Sequence, residues 1–457
     1  MIKQLSLILL FLFSANLSAE TPFFVPPKPE RETLPSGMKL FVMTDATLPT
    51  AEIQIYVRGG SLGDPAGKEG LVSLTYGALR ASGSLKNRSK EIEERLEFMG
   101  ASLEMGTEKE FAQISLKLLS KDLENGLAIL FELLREPAFE SQEVETVRKR
   151  KIEALSREAE KPMGMAFRRF PKIIYGSKNP FGRRPTVRSL KKIRRDDLIR
   201  THRELIGPDR MIVAASGDFS KLELTRILKM QTAGWKPVSS SLPSCPPVEK
   251  KFKKENWLLV QKGLTQSTIL TGHLGTDRSD PDRFALMVMN YILGGSGSLS
   301  SRLGDRVRVK EGKAYGIWSE WTFEKEPGMF YVATQTAAEQ TGEVLQLLDE
   351  MLTQFVQRPE ITEEELDRAK SSILRSFFFS YETSFQLVKD LARLDLLGYP
   401  ENYLEEFQHK ISVLTREDLE RVIRKYLHSG ERKTFVITDP SVKKRLKPFG
   451  SFKRVKQ

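Results

Sequence analysis

Ile193-Arg194-Arg195-Asp196-Asp197-Leu198 and Leu414-Thr415-Arg416-Glu417-Asp418-Leu419 are two versions of one phrase. Each opens a helical stretch that leads into a strand-like run, and the two runs close on Gly217-Asp218 and on Thr438-Asp439. The start of the phrase (193 to 414), its end (198 to 419) and the closing aspartate (218 to 439) keep one offset of 221 residues. Three landmarks in one register mark an internal duplication. Between the copies, over 237–256, helical and strand periodicity gives way to Pro237, Ser239-Ser240-Ser241, Pro243, Pro246-Pro247 and a lysine run, the composition of a linker.

Working outward from the repeat, both halves read alike. In the first, strands at 38–43 and 52–58 precede the turn Gly59-Gly60 and helices at about 68–81 and 89–99. Strands at 101–105 and 111–118 follow, then helices at 121–135, 141–159 and 163–175, a short helix at 195–205 and a strand at 210–216. The second half has strands at 257–261, 267–273, 315–323 and 329–336, helices between them and onward to residue 426, and a last strand at 433–438. The expected fold class is α+β, with two homologous domains, each an open, mainly antiparallel sheet covered by helices. The expected boundaries are 1–19 for a signal peptide, 20–236 for the amino-terminal domain, 237–256 for the linker and 257–457 for the carboxy-terminal domain.

Composition narrows the chemistry. Among 457 residues there is one cysteine, Cys245, so neither an internal disulfide framework nor a cysteine-built metal cage is available to this chain. The four histidines, His202, His273, His409 and His428, lie far apart in sequence. Lys3, the apolar run from Leu5 to Phe13 and the small pair Ser18-Ala19 form the pattern of a secretory leader, so we expect export, to a bacterial periplasm, without stable membrane insertion. Lys and Arg number 72 against 60 Asp and Glu, a net charge of +12. The basic groups, among them Arg148-Lys149-Arg150-Lys151, Arg168-Arg169 and Arg183-Arg184, read as solvated faces, with a surface favouring acidic peptides or anionic membranes as the alternative. Without an aromatic-basic motif, no nucleic-acid partner is expected.

Two stretches carry a resemblance. Val57-Arg58-Gly59-Gly60-Ser61 through Asp64-Pro65 to Lys68-Glu69-Gly70-Leu71, and Leu293-Gly294-Gly295 through Ser300-Ser301-Arg302-Leu303 to Lys313-Ala314-Tyr315, resemble the pitrilysin/insulinase family of zinc peptidases. That family includes mitochondrial processing peptidase and the core proteins of the respiratory bc1 complex. The resemblance spans nearly the whole mature chain, and it implies a processing-peptidase-like pair of domains around a peptide chamber. Active members carry His-x-x-Glu-His, in which two imidazoles one helical turn apart hold zinc and the glutamate polarises its water. The matching positions here are Ser73, Tyr76 and Gly77, so both histidines and the glutamate are lost. A distal glutamate ligand would fall at Glu153, which without the histidines reads as a surface helix residue.

The second motif of the family is intact. Arg308 and Tyr315, seven positions apart, match the pair that reaches the substrate backbone and the scissile carbonyl in active members. A guanidinium and a phenol are the donors that an oxygen gaining negative charge requires. The resemblance also marks Gly294, Gly295 and Gly297 as a substrate-contacting stretch, with a packed turn as the equal alternative. His273 reads as a structural histidine and Phe377-Phe378-Phe379 as core or interface. The expectation is a non-catalytic subunit with no cofactor of its own. A homologous partner chain would supply zinc, and an unfolded peptide would be the substrate. The alternative is a proteolytically inactive peptide-binding or scaffold protein of the same fold.

Overall fold

The structure, a computed structural model, describes residues 24–238, 240–249 and 252–455, so the expected leader lies outside the described residues. The first half contributes β1 (Glu30–Thr33), β2 (Lys39–Thr44), β3 (Thr50–Arg58), β4 (Ser102–Thr107), β5 (Phe111–Leu119) and β6 (Met211–Gly217), in the order β1-β2-β6-β3-β5-β4. The second contributes β7 (Glu255–Val260), β8 (Gln266–Leu274), β9 (Gly316–Trp321), β10 (Met329–Ala337), β11 (Lys433–Thr438) and β12 (Phe452–Arg454), ordered β12-β7-β11-β8-β10-β9. From β2 and β7 onward the sheets match strand for strand, each with one parallel pair, β2 with β6 and β7 with β11, followed by antiparallel neighbours. The α+β architecture with two mainly antiparallel sheets is therefore as the sequence predicts.

The helices of the first half are α1 (Leu71–Ala81), α2 (Ser89–Phe98), α3 (Leu123–Arg135), α4 (Ser141–Glu160), α5 (Pro162–Tyr175), α6 (Val187–Lys192), α7 (Arg195–Leu205) and α8 (Lys221–Thr232). Those of the second are α9 (Arg283–Leu293), α10 (Thr341–Gln357), α11 (Glu363–Phe379), α12 (Ser384–Leu397), α13 (Tyr403–Ser412), α14 (Arg416–Tyr426) and α15 (Lys443–Leu446). The repeated phrase is a helix-start signal. Asp197 accepts the backbone N–H of Arg194 at 2.8 Å and Asp418 that of Thr415 at 3.1 Å, closing the first turns of α7 and α14. Helix α1 begins at Leu71 rather than near Lys68, because Gly70 is left-handed (φ 96°) and the Asp64 carboxylate accepts the N–H groups of Gly70 and Val72 at 2.7 and 2.8 Å.

Alternation along the strands gives each sheet two apolar faces. On β2, Leu40 and Val42 join the core under the first half's own helices, whereas Phe41 joins that of the second half. The face that carries Phe41, Tyr56, Phe111 and Ile212 is covered by α12, with Leu387, Val388 and Leu391. Reciprocally, α5 lays Met165, Phe170 and Ile173 on Leu259, Leu270 and Phe435 of the second sheet. Each half thus lends one helix to the other's sheet, and the two lent helices share an offset of 222 residues at both ends (162 to 384, 175 to 397). Polar ties run alongside: Arg278 pairs bidentately with Glu110 at 2.7 and 2.8 Å, and Lys39 reaches Asp395 at 2.8 Å. Among the described residues no helix is long and apolar enough to cross a membrane.

Candidate functional site

Positions 73, 76 and 77 lie on one face of α1, which packs along α4. Tyr76 is buried in the first-half core. Its hydroxyl has no hydrogen-bond partner, and burial pushes its phenol well above the ordinary value. Ser73 and Gly77 face α4, and the residue that meets them is Lys151. Its Nζ donates to the Ser73 Oγ at 2.5 Å, and a Cβ placed on Gly77 would stand 3.6 Å from its Cε and 3.0 Å from a methyl of Val147. An ammonium group therefore fills the space on which positions 73 and 77 converge. Glu153, two residues on, is exposed, as its reading as a surface residue requires.

The donors present do not fit a zinc ion. A serine hydroxyl, a glycine and a cationic amine offer no imidazole or thiolate, and a second positive charge beside the ammonium would be repelled. Among the described residues, no group of three or more His, Cys, Asp or Glu side chains is placed to hold a metal. Burial pushes Lys151 below its ordinary value of 10.5, while the nearby Asp64 opposes that shift. A lysine depressed in the folded chain adds stability as pH rises from its lowered value toward 10.5, where the unfolded chain sheds its proton. Lys151→Met keeps the stem and removes the charge, so the parent's melting temperature should gain on the variant's across that window. Parallel melting curves from pH 7 to 10.5 would contradict a buried, charge-disfavoured Lys151. His273 is buried, with Nδ1 2.7 Å from the Leu274 carbonyl, and burial drives it down to about 3.

In the second half, Gly304–Lys310 winds as a π-helix, with the Glu311 N–H donating to the Arg306 carbonyl at 3.1 Å. Such wide turns recur at functional sites because they push side chains outward from the regular spiral. Arg308 leaves this turn with its guanidinium carbon 5.2 Å from the centre of the Tyr315 ring, and Tyr315 is 86% exposed. The neighbouring cations are all spoken for. Arg306 pairs with Glu311 at 2.9 Å, Lys310 with Asp305 at 2.7 Å and Lys313 with Glu343 at 2.7 Å. Among the described residues Arg308 has neither a carboxylate nor a hydrogen-bond partner. The structure thus brings Arg308 and Tyr315 together and leaves both with free donors.

The glycine stretch is a packed turn against β9. A Cβ on Gly294 would lie 2.6 Å from Leu303 and 2.9 Å from the Ser319 nitrogen, and its carbonyl accepts the Ser319 N–H at 3.0 Å. A Cβ on Gly295 would come within 3.0 Å of the Asn290 carbonyl, and Gly297 is left-handed at φ 64°. Close packing constrains Gly294 and Gly295, and backbone conformation constrains Gly297. Lys151 escaped the sequence reading because its basic run looked solvated. The available signal was its place in the stripe Val144, Val147, Lys151, Leu155, whose spacing of three or four keeps one helix face inward.

Two family descriptions match in tandem: Insulinase (peptidase family M16) over residues 40–178, and the peptidase M16 inactive domain over residues 192–373. The chain belongs to family M16. Within it, this is a member of the inactive type, since all three residues of the zinc motif are replaced. The M16 relatives include an uncharacterized zinc protease of Streptomyces coelicolor, 23% identical over 416 residues, which cover 90% of this chain and 89% of the relative. The non-peptidase homolog YmxG of Helicobacter pylori is 23% identical over 393 residues, covering 85% and 89% respectively. A solved peptidase M16 inactive domain from Pseudomonas fluorescens superposes with a TM-score of 0.81 at 22% identity, over 94% of this chain and all of that one. At that identity the likeness is one of fold.

Proposed function

We propose that this M16 chain is the non-catalytic subunit of an exported, heterodimeric zinc metallopeptidase. A homologous partner supplies the zinc, its water and the general base, and this chain supplies Arg308 and Tyr315. The observation that carries the reading is the unpaired guanidinium of Arg308 beside an exposed phenol, in a segment whose other cations are neutralised. A pure scaffold has no need to hold two donors free. A peptide carbonyl placed against them would be polarised, and its oxyanion stabilised, as tetrahedral charge develops. Activity would arise only when the two chains close on an extended peptide, which aligns the partner's water with the carbonyl held here. The leader-like start at residues 1–19 supports export to a periplasm.

Affinity capture of the tagged chain from its native envelope tests the proposal. The expected result is a co-purifying homologue with an intact His-x-x-Glu-His motif and about one zinc per pair, a metallopeptidase centre being a single tetrahedral ion. Recovery of this chain alone, or as a metal-free self-dimer, would overturn it. That outcome would favour the alternative of a peptide-binding or scaffold protein.

A further inference from the structure

The basic pairs Arg168-Arg169 and Arg183-Arg184 do not form solvated faces. Arg168 and Arg169 lie on α5 and Arg183 and Arg184 on the loop after it, and all four, with Lys172, line one cavity of about 280 Å³. Against these five cations the wall holds one carboxylate, Glu69. Arg168 is engaged by Glu158 at 3.3 Å, and Arg184 donates to the Phe181 and Arg183 carbonyls at 3.1 and 2.8 Å. Arg183 is only 3.9 Å from Glu69, and its Nε is buried without a partner. Among the described residues, Arg169 and Lys172 have no carboxylate partner. Burial and the adjoining Arg168 both disfavour the charge on Arg169. Five cations facing one wall carboxylate, with Glu158 taken up by Arg168, leave an excess of positive charge in the recess, and a bound anion offsets its cost.

Arg169, Lys172 and Ser177 also border a second cavity, of about 670 Å³, whose wall includes Ile173, Ile174 and Trp257. The two recesses share an edge: the first is lined mainly by cations, and the second combines the apolar surface of Ile173, Ile174 and Trp257 with the charged side chains of Glu249, Glu255, Lys433 and Arg454. An inorganic anion would use only the first. A bilayer surface does not reach guanidinium groups recessed in a cleft. An extended peptide uses both, because successive side chains fall on opposite sides and alternate ones on the same side.

We propose that this double groove binds a peptide segment with acidic residues next to a large apolar one, the carboxylates lying between Arg169, Lys172 and Arg183 and the apolar side chain beside Trp257. This site is separate from Arg308 and Tyr315 and does not depend on the heterodimer, so it is tested on this chain alone. The probe is a fluorescein-labelled peptide containing Glu-Glu-Phe-Leu, followed by anisotropy, with a Gln-Gln-Phe-Leu control. The expected result is saturable, salt-sensitive binding that is weakened at least about tenfold in the control peptide and in Arg169→Gln/Lys172→Gln, and is unchanged by Arg308→Ala. A fold-retaining check is the melting temperature of the double variant, with Arg183→Gln as the second, independent variant. Equal binding of the neutral peptide, full affinity in both variants, or uptake of phosphatidylglycerol vesicles in place of the peptide would overturn the proposal.

Discussion

Arg308→Ala should lower turnover of the assembled pair by about 100-fold or more, the usual consequence of losing one preorganised oxyanion donor, and should leave the partner's zinc content unchanged. The guanidinium is positioned by the wide turn of Gly304–Lys310 and by the ring of Tyr315, not by an ion pair, so its removal strands no buried charge and should cost little stability. Arg308→Lys keeps the charge but not the planar fork and should recover only part of the rate. Tyr315→Phe, which removes the phenolic donor from a highly exposed ring, should also slow the reaction while leaving the melting temperature in place. The loss is expected in kcat more than in KM, because in the proposed role these donors meet an oxygen whose charge appears in the transition state. Full turnover in Arg308→Ala would remove the functional assignment and leave a fold without a chemical role at this position.

Phe170→Ala should destabilise the folded chain by about 3–5 kcal/mol, the range for deleting a buried aromatic. The ring is buried on α5 and stands 6.4 Å from that of Tyr331, in a core that α5 and Phe181 share with the strands of the second sheet. The informative readout is where the damage appears. Although residue 170 belongs to the first half, amide exchange should accelerate in β8 and β11 of the second sheet, which α5 covers. Exchange confined to the first sheet would contradict the helix exchange. The same reciprocity predicts a single cooperative unfolding transition, since neither sheet keeps both faces covered once the halves part.

Much of this fold was legible because the duplication fixes its own register. The aspartates at 197 and 418 sit at one position of two copies, and each closes a helix start by the same carboxylate-to-amide contact. The apolar pattern of β2 and β3 marked them as strands. It could not tell what buries them. Helix α5 is amphipathic, but an apolar stripe carries no address, and that it covers the distant sheet follows only from the chain's path. The site divides similarly. Arg308 and Tyr315 lie in a short stretch that the family resemblance marks, whereas Lys151 reaches Ser73 across 78 residues of sequence and became visible only when α1 lay beside α4. Its basic neighbours concealed it: Arg148, in the same run, is also turned inward, onto the Leu190 and Ile193 carbonyls at 2.5 and 2.6 Å.

Lys151 also bears on whether the lost chemistry can return. A histidine restored at position 73 or 77 would face an ammonium instead of a metal, and a glutamate restored at position 76 would be thrust into an apolar core. Replacing Lys151 alone gains no ligand. No single substitution on the way back confers zinc affinity, and several carry a cost in stability, so selection acting one step at a time has no slope to climb. The lysine works as a ratchet: by occupying the space on which positions 73 and 77 converge, it raises the cost of a first step toward rebuilding the motif at either one.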